Sequence, residues 1–173
     1  MRLLILLCLF SVASCKNEVK TTNDPVEQTS AVEQDTLQIL DFAGLDPLLS
    51  TTSNKTYVVN FWATWCGPCV KELPYFEQLN SKYAEKNVEV ILVSLDFPKK
   101  YDSHLKPYIK KNELKSKVIA LNDPDANAWI PKVSEEWSGA IPATLIFNKD
   151  KRQFYEKSFT YGELESEVKQ FIN

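Results

Sequence analysis

The sequence predicts an α/β sandwich, a β-sheet covered by helices, and three observations carry that prediction. Tyr57–Ala63 and Val88–Leu95 are dense runs of β-branched, aromatic and aliphatic residues that read as buried strands. Between them, apolar side chains recur at steps of three and four, as on a helix with one buried face. A helical insertion, a hairpin and a closing helix follow, which completes an alternation of elements that packs in layers.

Taken in order, Thr36–Phe42 alternates weakly and is expected as a strand, with a short helix over Leu45–Ser50 and a turn at Asn54-Lys55. The run Tyr57–Ala63 is expected as a central strand. From Pro68 to Lys86, Val70, Leu73, Phe76, Leu79 and Tyr83 mark the buried face of an amphipathic helix. Pro68 suits its first turn, where backbone N–H groups lack partners anyway, whereas Pro74 lies inside and should kink it. Val88–Leu95 is a second buried strand, Tyr101–Asn112 a helix and Lys117–Leu121 a short strand. A further helix within Asp125–Trp137 should be interrupted at Pro131. Ala143–Phe147 and Arg152–Glu156, separated by a turn at Asn148-Lys149-Asp150, read as a hairpin. Gly162–Ile172 closes the chain as a helix packed through Leu164, Val168 and Phe171.

The 173 residues suit one domain with an added segment, and 44% hydrophobic content is ample for a core. The net charge is −3, and the densest lysine cluster, at Lys99-Lys100 and Lys106–Lys117, also holds acids. No sustained basic stripe marks a nucleic-acid surface, so nucleic acid is not expected as a partner.

Arg2 precedes a short apolar run, Leu3–Phe10, with Ala13 and Ser14 behind it. That is the layout of a secretory signal peptide, and the run is well short of the roughly 20 residues a membrane span needs. Val12-Ala13-Ser14-Cys15 resembles the lipobox of bacterial lipoproteins, in which the cysteine is acylated and becomes the mature N-terminus. Several acyl chains would hold a domain stably on a bilayer, where a single chain would not. The expected organisation is therefore a signal peptide over 1–14, a lipidated Cys15 with a tether over 15–35, and a folded domain over 36–173. The tether has no aromatic residue and too little apolar surface to offset its ordering entropy. Its reach from the membrane would be roughly 25 Å.

Of four cysteines, Cys8 would leave with the signal peptide and Cys15 would carry lipid. Cys66 and Cys69 remain, too close in sequence for a bridge that stabilises by closing a long loop. Cys66 falls where a buried strand hands over to a helix, and the unpaired N–H groups of a helix start stabilise a thiolate. Cys69, one turn on, can reach back to it. Gly67 is expected to permit the tight entry and Pro68 to stiffen the pair. Cys66 is the predicted nucleophile and Cys69 the resolving thiol of disulfide exchange, with no metal or organic cofactor. Half a zinc site is the competing reading, but four ligands are usual and the only histidine is His104. An inert bridge is the other.

The block Asn60-Phe-Trp-Ala-Thr-Trp-Cys-Gly-Pro-Cys-Val-Lys-Glu-Leu-Pro74 resembles the active-site segment of the thioredoxin superfamily, most closely the TlpA/ResA-like thiol–disulfide oxidoreductases. The resemblance covers residues 36–173 and implies a thioredoxin-like sandwich with a central mixed sheet flanked by helices. In Gly139-Ala-Ile-Pro-Ala-Thr-Leu-Ile-Phe147 it implies a cis proline at Pro142 facing the cysteines, with Ile141 and Pro142 forming the platform that pairs with substrate. Trp65, Gly67 and Pro68 join that substrate surface, whereas Trp62, Trp129 and Trp137 are read as packing and His104 as solvent-exposed. Thioredoxin keeps a buried aspartate where this chain has Asn60, so another group or water must assist Cys69 in exchanging its proton. Asn60 and Glu72 are candidates for tuning the thiols, although a solvated helix glutamate is the plain alternative for Glu72.

The resemblance implies a reductase of protein disulfides, a monomer lipid-anchored on the extracytoplasmic face of a bacterial envelope and supplied by a membrane thiol donor, and it leaves cytochrome c-type biogenesis open as the setting. The Gly67-Pro68 dipeptide matches reducing thioredoxins. Disulfide oxidase or isomerase, thiol peroxidase and non-catalytic adaptor are the alternatives. Peroxiredoxins place Thr and Pro ahead of their cysteine, which this chain does not.

Overall fold

The computed structural model describes residues 37–172. The expected signal peptide, the lipidation site Cys15 and the tether lie outside them.

Six strands form one mixed sheet: β1 (Gln38–Leu40), β2 (Thr56–Trp62), β3 (Val88–Ser94), β4 (Lys117–Leu121), β5 (Ala143–Phe147) and β6 (Arg152–Tyr155). Their order is β1-β4-β3-β2-β5-β6. The first four strands in that order run parallel, and β5 and β6 are antiparallel to their neighbours. Five helices flank the sheet: α1 (Phe42–Leu49), α2 (Gly67–Tyr83), α3 (Lys106–Lys111), α4 (Ala126–Val133) and α5 (Tyr161–Lys169).

β2 shows how the layers arise. Side chains alternate across a strand, so Val58, Asn60 and Trp62 face α2, while Val59 and Phe61 face the opposite layer. On the first side they meet Leu73, Phe76 and Leu79 of α2 and Leu164 and Val168 of α5. On the second they meet Phe42, Leu45 and Leu49 of α1 and Trp129 and Val133 of α4. Trp62, Trp129 and Trp137 are buried packing residues, and His104 is exposed.

The boundaries differ from the sequence expectations for identifiable reasons. The first strand covers only Gln38–Leu40, because Asp41 caps a helix there and accepts a hydrogen bond from the Gly44 N–H at 2.9 Å. That helix therefore starts at Phe42, three residues before expected. The insertion opens with a 3₁₀ turn, Pro98–Lys100, and one π-helical turn, Tyr101–Leu105, in which the Lys106 N–H donates to the Tyr101 carbonyl. Pro107 has no N–H to continue the ordinary ladder at this point. α4 is not interrupted at Pro131 but runs on to Val133, since Trp129 and Val133 bury against the sheet and packing overrides propensity. α5 stops at Lys169 and leaves Phe171 buried just beyond it.

Candidate active site

The site lies at the carboxyl end of β2, where parallel strands end and helices begin, the usual position for function in such sheets. After Trp62 the chain turns, with the Cys66 N–H donating to the Ala63 carbonyl at 3.1 Å. Cys66 then caps α2, its Sγ accepting from the Cys69 N–H at 3.3 Å. The sulfur thus sits against an unpaired N–H of a helix start, the place that favours negative charge. Cys66 and Cys69 are joined as a disulfide with Cα atoms 5.3 Å apart.

Cys66 is 6% exposed and Cys69 wholly buried, so the first sulfur is the one that a partner can reach, through a narrow opening. Pro68 lies in the first turn of α2. Gly67 contradicts its expected role: a Cβ added there would meet nothing within 4 Å, and its backbone is not in the left-handed region. The tight entry therefore does not require glycine.

Pairing of β5 with β2 sets Phe61 opposite Ala143, which brings the preceding loop to the cysteines. The Ile141 carbonyl oxygen is 3.7 Å from Cys66 Sγ, and the Ile141–Pro142 peptide is cis. Gly139 holds φ +93°, a conformation that L side chains rarely adopt. The Trp137 indole N–H donates to the Ala140 carbonyl at 2.8 Å, and Ser138 binds Glu156 through both its N–H and its hydroxyl. These contacts fix the loop from behind.

Glu72 lies one helical turn after Cys69 and is 2% exposed, so the solvated reading of this glutamate does not hold. Its carboxylate accepts from the Phe159 N–H at 2.7 Å and from Asn60 Nδ2 at 3.1 Å. Desolvation raises its pKa to about 7, and those two hydrogen bonds oppose the rise. Asn60, fully buried, also reaches Thr144 Oγ1 at 3.2 Å. A carboxyl that titrates near neutrality therefore sits on the buried side of the cysteine pair.

Two residues not singled out from sequence complete the rim. The buried Asp96, just past β3, accepts from the Thr64 N–H at 3.0 Å, the Thr64 hydroxyl at 2.5 Å and Ser94 Oγ at 2.9 Å. It ties the cysteine loop to the neighbouring strand. Phe97 follows it, is 64% exposed, and stacks on Trp65, itself 58% exposed. An acid at the carboxyl end of a parallel strand was the available signal for Asp96. Nothing local marked Phe97.

A profile of the AhpC/TSA family matches residues 36–152. The chain is 33% identical over 113 residues to the thiol-disulfide oxidoreductase ResA of Bacillus cereus strain ZK/E33L, a match covering 65% of this chain and 60% of that protein. To the protein of the same name from Oceanobacillus iheyensis it is 45% identical over 65 residues, 38% of this chain and 29% of that one. The matches thus span less than two thirds of either relative's length. Among solved structures, a thioredoxin-family thiol:disulfide interchange protein from Chlorobium tepidum TLS superposes with a TM-score of 0.58 at 21% identity, covering 69% of this chain and 81% of that one. StoA from Bacillus subtilis gives 0.53 at 22% identity, over 67% and 84%. These likenesses establish the thioredoxin-like fold.

Proposed function

The chain belongs to the AhpC/TSA family, and from that premise we propose that it is a thiol–disulfide oxidoreductase that reduces protein disulfides through Cys66 and Cys69. The carrying observation is the placement of that pair: Cys66 Sγ at the start of α2, beside the Ile141 carbonyl and the cis Pro142, with Cys69 one turn behind it. The name thiol-disulfide oxidoreductase borne by the similar ResA proteins supports the same reading.

In the reduced form, the Cys66 thiolate attacks one sulfur of the substrate disulfide and expels the other as a thiolate, which takes a proton. Cys69 then loses its proton and attacks Cys66 Sγ. The Cys66–Cys69 disulfide forms, and the second substrate sulfur leaves as a thiolate that takes a proton from solvent, so two electrons pass to the substrate. Glu72 is the acceptor suited to the Cys69 proton, because it is buried on that side and titrates at about 7. Ile141 and Pro142 present backbone to an extended substrate segment, and Trp65, Gly67 and Pro68 line the approach.

The setting proposed with it is export, acylation at Cys15, and a monomeric domain on the extracytoplasmic face, recharged by a membrane thiol donor. Arg2, the apolar run and Val12-Ala13-Ser14-Cys15 support the export and the anchor.

Cys69→Ser tests the chemistry. Incubated with a peptide disulfide, this variant should accumulate a mixed disulfide on Cys66, and Cys66→Ser should accumulate none. Wild-type protein that neither reduces the peptide nor, as Cys69→Ser, traps it would overturn the proposal. A reduction potential near −120 mV, as in strong oxidants, would overturn the direction. Radiolabelled palmitate incorporation that persists in Cys15→Ser would overturn the anchor.

A further inference from the structure

Phe97 and Trp65 are two of the three large hydrophobic side chains that stand exposed among the described residues. They stack with ring centroids 6.3 Å apart at 22°, beside the opening to Cys66. The ledge is held in place from below. Asp96, adjacent to Phe97, grips Thr64, adjacent to Trp65, through two hydrogen bonds, and the Lys100 N–H closes a turn onto the Phe97 carbonyl at 2.7 Å. Fixed apolar surface left in water beside a reaction centre marks a contact site.

Charge identifies what it contacts. Lys99 and Lys100 follow Phe97 after Pro98, are exposed, and form no ion pair among the described residues. From Phe97 to Lys117 there are seven lysines against Asp102 and Glu113, in a chain whose net charge is −3. Among the described residues, Lys106 alone of the seven is paired, with Asp102. Asp96, next to Phe97, is turned inward to Thr64 and Ser94. The ledge therefore presents apolar surface bordered by uncompensated positive charge on an otherwise acidic molecule.

We infer that the Trp65–Phe97 ledge with Lys99 and Lys100 selects partner proteins whose target disulfide is flanked by apolar and acidic residues. This rests on the oxidoreductase reading above and names the substrate class for that site. The apolar flank covers the two rings, the carboxylates meet the lysines, and the rest of the lysine-rich insertion steers approach.

The test uses the full chain in its dithiol form and three oxidants: two synthetic peptides with one internal disulfide beside leucine, flanked by glutamates or by lysines, and the neutral bis(2-hydroxyethyl) disulfide. Each exchange moves two electrons from the Cys66/Cys69 dithiol to the added disulfide. The glutamate peptide should exceed the lysine peptide in kcat/KM by about 10-fold at low salt, and the ratio should collapse towards one near 0.5 M salt. Lys99→Glu with Lys100→Glu should invert it. Phe97→Ala should lower the ratio of peptide to bis(2-hydroxyethyl) disulfide kcat/KM by about 5-fold, through KM. Equal rates on the two peptides, or an unaltered ratio in Phe97→Ala, would overturn the inference. So would binding to phosphatidylglycerol vesicles that Lys99→Glu with Lys100→Glu abolishes without any peptide preference, since the lysines would then serve a bilayer. Failure of wild-type protein to reduce bis(2-hydroxyethyl) disulfide would strike the oxidoreductase reading itself and take this inference with it.

Discussion

The two faces of the sheet are packed with different chemistry. Against α1 and α4 the layer is apolar and rich in rings: Phe61 packs on Trp137 at 4.7 Å between centroids, and Trp137 on Trp129 at 5.5 Å and Phe154 at 5.6 Å. Against α2 the layer also carries rings, Trp62, Phe76 and Phe159 among them, but below the cysteines it holds the polar cluster of Asn60, Thr144 and Glu72. Burying a carboxyl in that layer costs stability that an apolar side chain would not. The first face is apolar, while the α2 face gives up some stability to hold a carboxyl whose pKa is raised to about 7, one helical turn along α2 from Cys69.

Four measurements would break or sharpen that contrast. The largest effect is expected from Phe61→Ala, which removes a fully buried ring from the aromatic layer. Chemical denaturation should show a loss of about 3–5 kcal/mol. A loss below about 1 kcal/mol would mean that this face is not tightly packed.

Glu72→Gln comes next and acts through pH. The folded-state pKa lies above its ordinary 4.5, at about 7. Between those values the folded protein holds a proton that the unfolded chain has lost, so wild-type stability should fall as pH rises through that window and level off above it. The glutamine variant should lack this fall, which amounts to roughly 2 kcal/mol. Parallel pH profiles for the two proteins would remove Glu72 from its role. The rate of the second exchange step should lose its dependence near pH 7 in the same variant.

Asp96→Asn tests the rim between the layers. It weakens the grip on Thr64 and should cost about 1.5 kcal/mol, with a change in the rate at which iodoacetamide alkylates reduced Cys66. An unchanged alkylation rate would show that the cysteine loop holds its shape unaided. The smallest effect belongs to Gly67→Ala at the exposed mouth of the site. With open space for a methyl group there, stability should stay within about 0.5 kcal/mol.

Much of the scaffold was legible because its signals are local. β2, β3 and β4 announce themselves by composition, and the cysteines follow from the strand-to-helix handover after Trp62. The missed features depend on contacts across the chain. Glu72 could not be distinguished from a surface glutamate without Phe159, 87 residues away, whose N–H it accepts. Asp96 acquires its role only through Thr64, 32 residues earlier. The helix start at Phe42 was written locally, in Asp41, but the apolar alternation before it competed with that signal. Pro131 stayed inside α4 because Trp129 and Val133 anchor both sides of it to the sheet. Gly67 erred the other way, since a residue type associated with tight turns occupies a position where any small side chain fits.

The disulfide joins positions only three apart at the tip of one helix. A ring so small removes less freedom from the denatured chain than a long loop would, about 2 kcal/mol. Any further gap in stability between the oxidised and dithiol forms comes from how the folded state treats the thiols: the N–H groups around Cys66 and the buried Glu72 carboxyl. Calorimetry of the two forms would thus read the electron affinity of the pair once that small polymer contribution is subtracted.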